Sequence, residues 1–174
     1  MKTVKPPKVI ITDFDGTLTL VKSEAEKFTS AYLAHLATNS TIARKTIDAA
    51  WLEAKKKVEN SPNKYGWKDG DRIVAPARAD HRIMARVLAG LALDSLGAIT
   101  DKTTRAQLLE ATYHASSGMI NPTFRRGALK FLNLVNSSSG CVVTNSATGE
   151  VSDKVNYHGL KPVASLATQK KSEI

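Results

Sequence analysis

The apolar positions near the start of the chain form one continuous run, "KVIITDF", which is rich in β-branched residues. Such a run is typical of a strand that is covered on both faces, as in a parallel sheet. Two acidic residues, Asp13 and Asp15, stand where this strand ends. The later stretch "CVVTNSATG" is again a short apolar run that ends in small polar residues, and "VASLA" is a candidate for a third strand.

Helical spacing dominates the segment between the first two strands. Ser23 and Glu26 have the form of a capping box, which predicts that a helix starts at Ser23. A second helical stripe is formed by residues that recur every three or four positions: Ile47, Ala50, Trp51, Ala54 and Val58. The stretch "NSPNKYGWKDGD" has the composition of a loop, and no stretch between residues 23 and 118 predicts a strand. The insertion is therefore predicted to be entirely helical.

The order of these elements predicts the fold class. A strand, a long helical insertion, a helix, a strand, a helix and a strand describe an α/β fold with a parallel-sheet, Rossmann-like core. The core is predicted to comprise residues 1–20 and 120–174, and residues 21–119 are predicted to form an inserted α-helical cap domain. Ligands of such sheets bind beyond the carboxyl ends of the strands, so we expect the two polar strand ends to meet there.

Composition and charge narrow the class of partner. The chain has 174 residues, of which 42% are hydrophobic, and this suits one ordinary core with a sizeable insertion. Its formal net charge of +9 suggests an anionic partner, which could be a phosphorylated metabolite, a nucleic acid or a membrane surface. Aromatic residues make up only 6%, and no motif interleaves them with basic residues, which argues against nucleic acid.

The cellular location is inferred from cysteine use and from the N-terminus. A single cysteine, Cys141, excludes an internal disulfide, as is usual in a cytosol-like compartment. The N-terminal stretch "MKTVKPPKV" lacks the apolar core of a signal peptide, and no apolar run approaches membrane-spanning length. We therefore expect a cytoplasmic protein without a membrane partner.

Two motifs carry a resemblance to a known family. The stretch "DFDGTLT" resembles motif I of the haloacid dehalogenase-like (HAD) hydrolase superfamily, and "VVTNS" resembles its motif II, in the right order and with a helical cap between them. The resemblance implies that Asp13 is the nucleophile that becomes an aspartyl phosphate, and that Asp15 is the general acid and later the base that activates water. Family members that cleave carbon–halogen bonds generally lack an acid at this second position, so Asp15 favours phosphate-ester hydrolysis or phosphoryl transfer.

The same resemblance implies a metal cofactor beside the two acids. Two carboxylates this close repel each other, and a bound divalent cation relieves that repulsion. Magnesium is the implied ion, with a side-chain oxygen of Asp13 and the backbone carbonyl of Asp15 as its ligands. Gly16 permits the tight turn that follows, and Thr17 can hydrogen-bond within it.

Further residues are implied to contact the phosphate. Thr144 would donate its hydroxyl to the phosphoryl group with Asn145 beside it, while the alternative is that both residues form an ordinary helix cap. The family also uses a lysine, motif III, that screens the charge between the nucleophile and the phosphate. The stretch "TQKKSEI" offers Lys170 or Lys171 for this role, and Lys161 is a rival. The alternative interpretation of "TQKKSEI" is a frayed basic terminus.

The acidic motif IV, which completes the metal shell in the family, does not follow the third predicted strand. Because the strand that carries motif IV lies beside the first strand in this fold, "KVIITDF" would then be an exposed apolar edge. We expect the chain to be a fragment of a longer protein, or the edge to be covered by another segment or subunit. We also expect the chain alone to be a poor phosphatase that self-associates through its first strand.

The sequence therefore predicts magnesium-dependent hydrolysis of a small phosphate monoester. The alternative is a catalytically degenerate HAD-fold module that binds an anionic partner. Recognition of a phosphorylated small molecule is assigned to the cap, where "NKYGWKDGDR" offers Trp67 and Arg72 together with Tyr65 and Lys68. The alternative for this stretch is a surface loop whose aromatic residues pack on a cap helix.

Overall fold

The structure is a computed structural model. It describes the residues in six ranges: 9–69, 72–118, 121–137, 140–144, 150–156 and 165–167. The strands are β1 (Ile10–Thr12), β2 (Gly66–Asp69), β3 (Arg72–Pro76), β4 (Gly140–Thr144) and β5 (Ser165–Ala167). The helices are α1 (Val21–Ser40), α2 (Arg44–Asn60), α3 (His81–Ser95), α4 (Lys102–Ser117), α5 (Ala128–Ser137) and α6 (Glu150–Asn156). None of the helices within the described ranges is both long and apolar enough to cross a membrane.

The chain divides into two compact units. The first, which we call the core unit, comprises Met1–Glu24 and Asn121–Ile174, and the second, the insertion unit, comprises Ala25–Ile120. The sequence predicts boundaries of 1–20 with 120–174 for the core and 21–119 for the cap.

A small parallel sheet forms the centre of the core unit, as expected for the predicted fold class. Its strands lie in the order β1-β4-β5, with Ile10 opposite Gly140 and Val142 opposite Ser165. Apolar residues of helices α5 and α6 pack with Ile10 and Val142 in one core cluster. The side chains in this cluster that are fully withdrawn from solvent are Phe14, Leu132, Val135, Val142 and Val155. Burial of one such side chain stabilises the fold by about 2 kcal/mol relative to its exposure.

The end of α5 packs directly on the start of β4. A Cβ atom at Gly140 would lie 2.8 Å from Val135 Cγ1 and 2.9 Å from the Val135 carbonyl oxygen, closer than real Cβ atoms approach such groups. Only glycine therefore fits at this position, and its missing side chain allows the helix to approach the strand.

The face of β1 that carries the Ile11 side chain is open to solvent. Val9 is 61% exposed and Ile11 is 68% exposed, although both belong to the apolar run. The interpretation of this run as a strand covered on both faces is therefore wrong for these two residues. Within the described sheet, β1 is also an edge strand, because β4 is its only neighbour.

The insertion unit has its own apolar core, to which α1, α2, α3 and α4 contribute. The helical stripe predicted on α2 is confirmed, because the same five residues are the buried ones of that helix: Ile47, Ala50, Trp51, Ala54 and Val58. Helix α3 begins at an Asp80 cap, whose side chain accepts hydrogen bonds from the N–H groups of Arg82 and Ile83. Apolar periodicity therefore predicts these helices well.

The predicted start of the first helix is wrong. Helix α1 begins at Val21, and the Glu24 N–H donates to the Leu20 carbonyl at 3.2 Å, so the proposed capping residue lies inside the first helical turn. Ser23 Oγ instead lies 3.4 Å from Thr123 Oγ1. In a capping box, the serine hydroxyl accepts a hydrogen bond from the N–H group three residues later. When the serine lies inside the first turn, that N–H group already donates to a carbonyl of the helix.

The prediction of an entirely helical insertion is also wrong. Strands β2 and β3 form an antiparallel hairpin in which Gly66 pairs with Pro76 and Asp69 pairs with Arg72. Part of the stretch taken as a loop is therefore a strand. The Asp-Gly pair at residues 69–70 is a common hairpin signal, but the two charges in "GWKD" obscure the alternation of apolar and polar residues that identifies a strand.

A buried hydroxyl in the insertion unit leads to the first testable prediction. Tyr32 is fully buried, and its hydroxyl has no hydrogen-bond partner among the residues that the structure describes. Tyr32→Phe removes this buried polar group and is expected to raise the free energy of unfolding by about 1 kcal/mol, measured by urea denaturation. The matched control is Tyr113→Phe, which is expected to lower it by about 1 kcal/mol, because the Tyr113 hydroxyl accepts from Arg82 Nη1 at 3.2 Å.

The burial of the Tyr32 hydroxyl also predicts that the free energy of unfolding depends on pH. Burial raises the pKa of the Tyr32 hydroxyl above its ordinary value of 10.0. The folded state then holds the phenolic proton more tightly than the unfolded state, so the free energy of unfolding falls as the pH rises above about 10. This fall should be smaller in Tyr32→Phe, and an identical alkaline profile in both proteins would contradict the assignment.

The open side of β1 yields the second prediction. Exposed apolar residues on an edge strand favour pairing with another chain, and a lysine there opposes it. We expect light scattering to show association of the wild-type chain at high concentration and to show less in Ile11→Lys. Leu134→Lys is the control, because Leu134 is 52% exposed on α5, away from the strand edge. A wild-type mass that does not change with concentration would contradict the prediction.

Candidate active site

The two acids of the first motif flank a buried aromatic residue at the end of β1. Phe14 is fully buried in the core cluster, while Asp13 and Asp15 on either side of it are half-buried. The backbone then turns through Gly16, whose φ of 79° is in the left-handed region that favours glycine. Thr17 Oγ1 donates to Asp13 Oδ2 at 3.1 Å. We call residues 13–17 the acid turn.

The segment 123–125 is hydrogen-bonded to the acid turn and to the residues just after it. The Leu20 N–H donates to the Thr123 carbonyl at 2.7 Å, and the Arg125 N–H donates to the Leu18 carbonyl at 2.8 Å. The Arg125 guanidinium also donates to the Gly16 carbonyl, from Nε at 3.2 Å and from Nη2 at 3.0 Å. The Arg125 side chain therefore fixes the acid turn, and backbone bonds fix the residues just after it, to the segment that enters α5.

Thr144 reaches the acid turn from the neighbouring strand. Because β1 and β4 run parallel, with Thr12 opposite Val142, Thr144 lies just beyond the end of β1. It is 1% exposed, and its Oγ1 donates to Asp15 Oδ2 in a long hydrogen bond of 3.5 Å. The two polar strand ends thus meet, as expected from the parallel sheet.

A lysine on α6 completes the group around Asp15. Lys154 is 6% exposed, and its Nζ lies 3.0 Å from Asp15 Oδ1 and 5.5 Å from the centre of the Phe14 ring. It shares the buried face of α6 with Val151 and Val155. Its carbon chain therefore lies in the apolar core while its ammonium group meets a carboxylate.

Glu24 is a second carboxylate beside this lysine. Its side chain is 4% exposed, and Oε2 lies 3.9 Å from Lys154 Nζ. Buried charges are costly unless they are paired, so the lysine and the two carboxylates stabilise one another in this setting. When all three groups are ionised, the cluster carries one formal negative charge. We call Asp15, Glu24 and Lys154 the ion cluster.

Lys154 and Glu24 are not among the site residues that the sequence predicts. The lysines that the sequence motifs imply, Lys170, Lys171 and Lys161, lie outside the described ranges, as does Asn145. The signal for Lys154 is its position three residues after Val151 and one before Val155, which places a charge on an apolar helix face. A similar signal marks Glu24, four residues before Phe28 on α1.

The predicted substrate-recognition residues lie in the insertion unit. Arg72 is exposed at the start of β3. Trp67 and Lys68 belong to β2, although their side chains lie outside the description, and Tyr65 is half-buried beside the hairpin. The role of these residues in substrate recognition stays a prediction.

The acid turn has the donor chemistry that magnesium prefers. Carboxylate and carbonyl oxygens are hard ligands, and Asp13 and Asp15 offer both kinds within one turn. No group of three or more histidine, cysteine or acidic side chains that could hold a metal ion occurs within the described part of the chain. The side chains described there would leave much of an octahedral magnesium shell to water or substrate.

The described core is thus a parallel α/β sheet with two carboxylates, a threonine and a lysine beyond its strand ends. No protein-family model and no curated protein matches the chain. Solved structures that it resembles include L-2-haloacid dehalogenase from Xanthobacter autotrophicus, at 18% identity, and the same enzyme with chloropropionic acid covalently bound, at 17% identity. Each comparison has a TM-score of 0.41, and the aligned region covers 95% of this chain and 58% of the dehalogenase chain.

Both solved structures are of one enzyme, L-2-haloacid dehalogenase. The present chain spans less than two thirds of its length. At this identity and TM-score, the likeness does not assign an activity to the chain.

The ion cluster gives the third prediction. Lys154→Met keeps an apolar chain of similar length but removes the ammonium, leaving the buried Glu24 carboxylate without that cation. We expect the free energy of unfolding to fall by about 3 kcal/mol, measured by urea denaturation near neutral pH. The control is Lys130→Met, because Lys130 is exposed on α5, and a change within about 0.5 kcal/mol is expected there. Equal stability of Lys154→Met and wild type would contradict the ion cluster.

Proposed function

We propose that this chain carries the phosphoryl-transfer site of a HAD-like hydrolase, which hydrolyses a small phosphate monoester with magnesium through an aspartyl phosphate. The observation that carries the proposal is the convergence of Thr144 and Lys154 on the acid turn, from two different elements. Phosphoryl transfer needs a nucleophile, a proton donor and groups that neutralise charge on the phosphoryl oxygens. The acid turn with its neighbours offers each of these.

In the first step, a carboxylate oxygen of Asp13 attacks the phosphorus of the monoester. The bond from phosphorus to the ester oxygen breaks, and the departing oxygen takes a proton from the Asp15 carboxyl group. Thr17 holds Asp13 in position through its hydrogen bond to Oδ2. The products of this step are the free alcohol and an aspartyl phosphate on Asp13.

In the second step, a water molecule attacks the phosphorus of the aspartyl phosphate. Asp15, now a carboxylate, takes a proton from this water while the bond from phosphorus to the Asp13 oxygen breaks. Inorganic phosphate leaves and both acids return to their first state. One residue thus serves as acid and then as base, which the position of Asp15 beside the nucleophile allows.

Cations and donors around the acids would neutralise the charge on the phosphoryl group. Thr144 would donate its hydroxyl to a phosphoryl oxygen. Lys154 takes the place in this proposal that the sequence assigned to Lys170, Lys171 or Lys161, since its ammonium already lies at the acid turn. Magnesium would be held by an Asp13 side-chain oxygen and the Asp15 carbonyl, and when bound it would supply electrostatic stabilisation of the phosphoryl oxygens.

The second acid distinguishes this proposal from cleavage of a carbon–halogen bond. A halide leaves as a stable anion and needs no proton, whereas an alkoxide leaving group does. An Asp15 carboxyl group next to the nucleophile is therefore useful in phosphate-ester hydrolysis. Its contacts with Thr144 and Lys154 keep this acid directed at the site.

The fourth prediction tests this function on an aryl phosphate with magnesium. Asp13→Asn keeps the shape of the side chain but removes the nucleophile, so both turnover and formation of a phosphorylated Asp13 peptide in a mass spectrum should disappear. Asp15→Asn should slow turnover by about 100-fold or more, because it removes the acid and base. Its effect should be smaller for a leaving group that needs no proton.

The control is Asp48→Asn, which changes an exposed ion pair on α2 in the insertion unit. It should turn over the substrate at the wild-type rate. Wild-type activity in Asp13→Asn would disprove the nucleophile. Saturable binding of a phosphorylated compound without any turnover or phosphoaspartate would favour the alternative, a HAD-fold module that binds an anionic partner.

A further inference from the structure

We propose that Glu24 is a positioning residue for the Lys154 ammonium group. Its carboxylate keeps this cation at the acid turn while the Asp15 carboxyl group serves the substrate. The inference rests on the function proposed above, in which Asp15 acts on the leaving group. Glu24 itself is not placed among the catalytic residues, because it acts through the lysine.

The distances place one ammonium between two acids. Lys154 Nζ lies 3.0 Å from Asp15 Oδ1 and 3.9 Å from Glu24 Oε2. The ammonium donates a hydrogen bond to Asp15, whereas its contact with Glu24 is an ion pair without a hydrogen bond. The shorter contact is with Asp15, which the proposed mechanism uses as acid and base. The longer contact is with Glu24, which takes no part in the proposed chemistry.

The burial of the two carboxylates separates their roles. The Asp15 side chain is 37% exposed, which leaves it open to a substrate, whereas the Glu24 side chain is 4% exposed. A glutamate is almost never buried to this extent unless it is paired. Its presence beside a buried lysine is therefore explained by the charge that it offers to that lysine.

The position of Glu24 on α1 makes it a rigid support. It lies in the first turn of the helix, where the partial positive charge of the helix N-terminus favours a carboxylate. This turn is tied to the core by the bond from the Leu20 N–H to the Thr123 carbonyl at 2.7 Å. The carboxylate is thus held on a fixed element, whereas Asp15 is on a turn.

Loss of the Glu24 charge should remove one of the two carboxylates that lie beside the cation in the described part of the chain. The ammonium would then follow the Asp15 carboxylate instead of keeping its place, and it would be less well positioned for charge that develops on the phosphoryl group. Loss of a group that orients a metal ligand typically lowers affinity or activity by tenfold to hundredfold, and we expect an effect of the same order for this ammonium group. Because the change acts on the reaction step, we expect kcat to fall by about tenfold or more while KM changes little.

The fifth prediction compares Glu24→Gln with Glu26→Gln in the full chain. Both variants remove one negative charge from α1, but Glu26 is exposed. The first readout is the Lys154 ammonium resonance in a nitrogen-15 spectrum, assigned by its loss in Lys154→Met. We expect this resonance in the wild type and in Glu26→Gln, and a shifted or exchange-broadened resonance in Glu24→Gln. The second readout is the split between kcat and KM on an aryl phosphate with magnesium.

The outcomes separate this inference from the proposed function. A wild-type spectrum without the resonance, or a Glu24→Gln variant with unchanged resonance and kcat, overturns the role of Glu24. If the wild-type chain does not turn over the aryl phosphate, the proposed function fails and the resonance alone decides on Glu24. If the single variant Glu24→Gln does not fold, its folding is compared with that of the double variant Glu24→Gln/Lys154→Met, which also lacks the ammonium group. Recovery of the folded state supports the pairing, and no recovery overturns it.

Discussion

A charged group that is withdrawn from water must have opposite charges around it, and in this protein that requirement falls on the ammonium of Lys154. Its partners come from the acid turn and from the first turn of α1, while the lysine itself comes from α6. Two neighbouring segments near the start of the chain and the distant helix α6 must therefore keep their relative positions for the charges to remain compensated. The apolar cluster around Phe14 and Val155 supplies the low-polarity surroundings that make this requirement strict.

The second constraint concerns the place where the insertion leaves and returns to the core unit. The residues just before α1 and the residues just before α5 are joined by backbone hydrogen bonds, and Thr19 and Phe124 form an isolated bridge between them. The outgoing and returning segments thus stabilise each other. They also hold the acid turn, through the bonds of Arg125 to Gly16. The ends of a long insertion and the candidate site are therefore supported by the same few bonds.

The sequence predicts best those features that depend on repeated apolar spacing. The stripe of α2 follows from helical periodicity, because many residues contribute to one signal, and the strands that end near Asp13 and at Thr144 follow from short continuous apolar runs. The convergence of two polar strand ends also follows, since parallel strands bring their carboxyl ends to the same edge. Single buried charges are different. Lys154 and Glu24 reveal their roles only when the helices that carry them are packed together, because no local pattern states which acid a lysine will meet.

Two of the incorrect predictions, the all-helical insertion and the start of α1, have local physical causes. The hairpin was missed because β2 is short and carries two charged residues, while its pairing with β3 supplies the backbone hydrogen bonds that propensity does not predict. The start of α1 was placed too late because Ser23 and Glu26 have cap-forming types, whereas the bond between Glu24 and Leu20 extends the helix backwards. In both cases a backbone interaction outweighed a side-chain preference.

Gly140 limits how this protein can vary over evolutionary time. The atoms that a side chain there would meet include two backbone oxygens, those of Val135 and Ile10, at 2.9 and 3.1 Å. Backbone atoms cannot move aside by changing a rotamer, so compensation would require α5 and β1 to shift together. Such a shift would need several simultaneous substitutions, each unfavourable by itself. Glycine at this point of the strand is therefore a fixed position in the sequence, set by the packing of the chain and not by its chemistry.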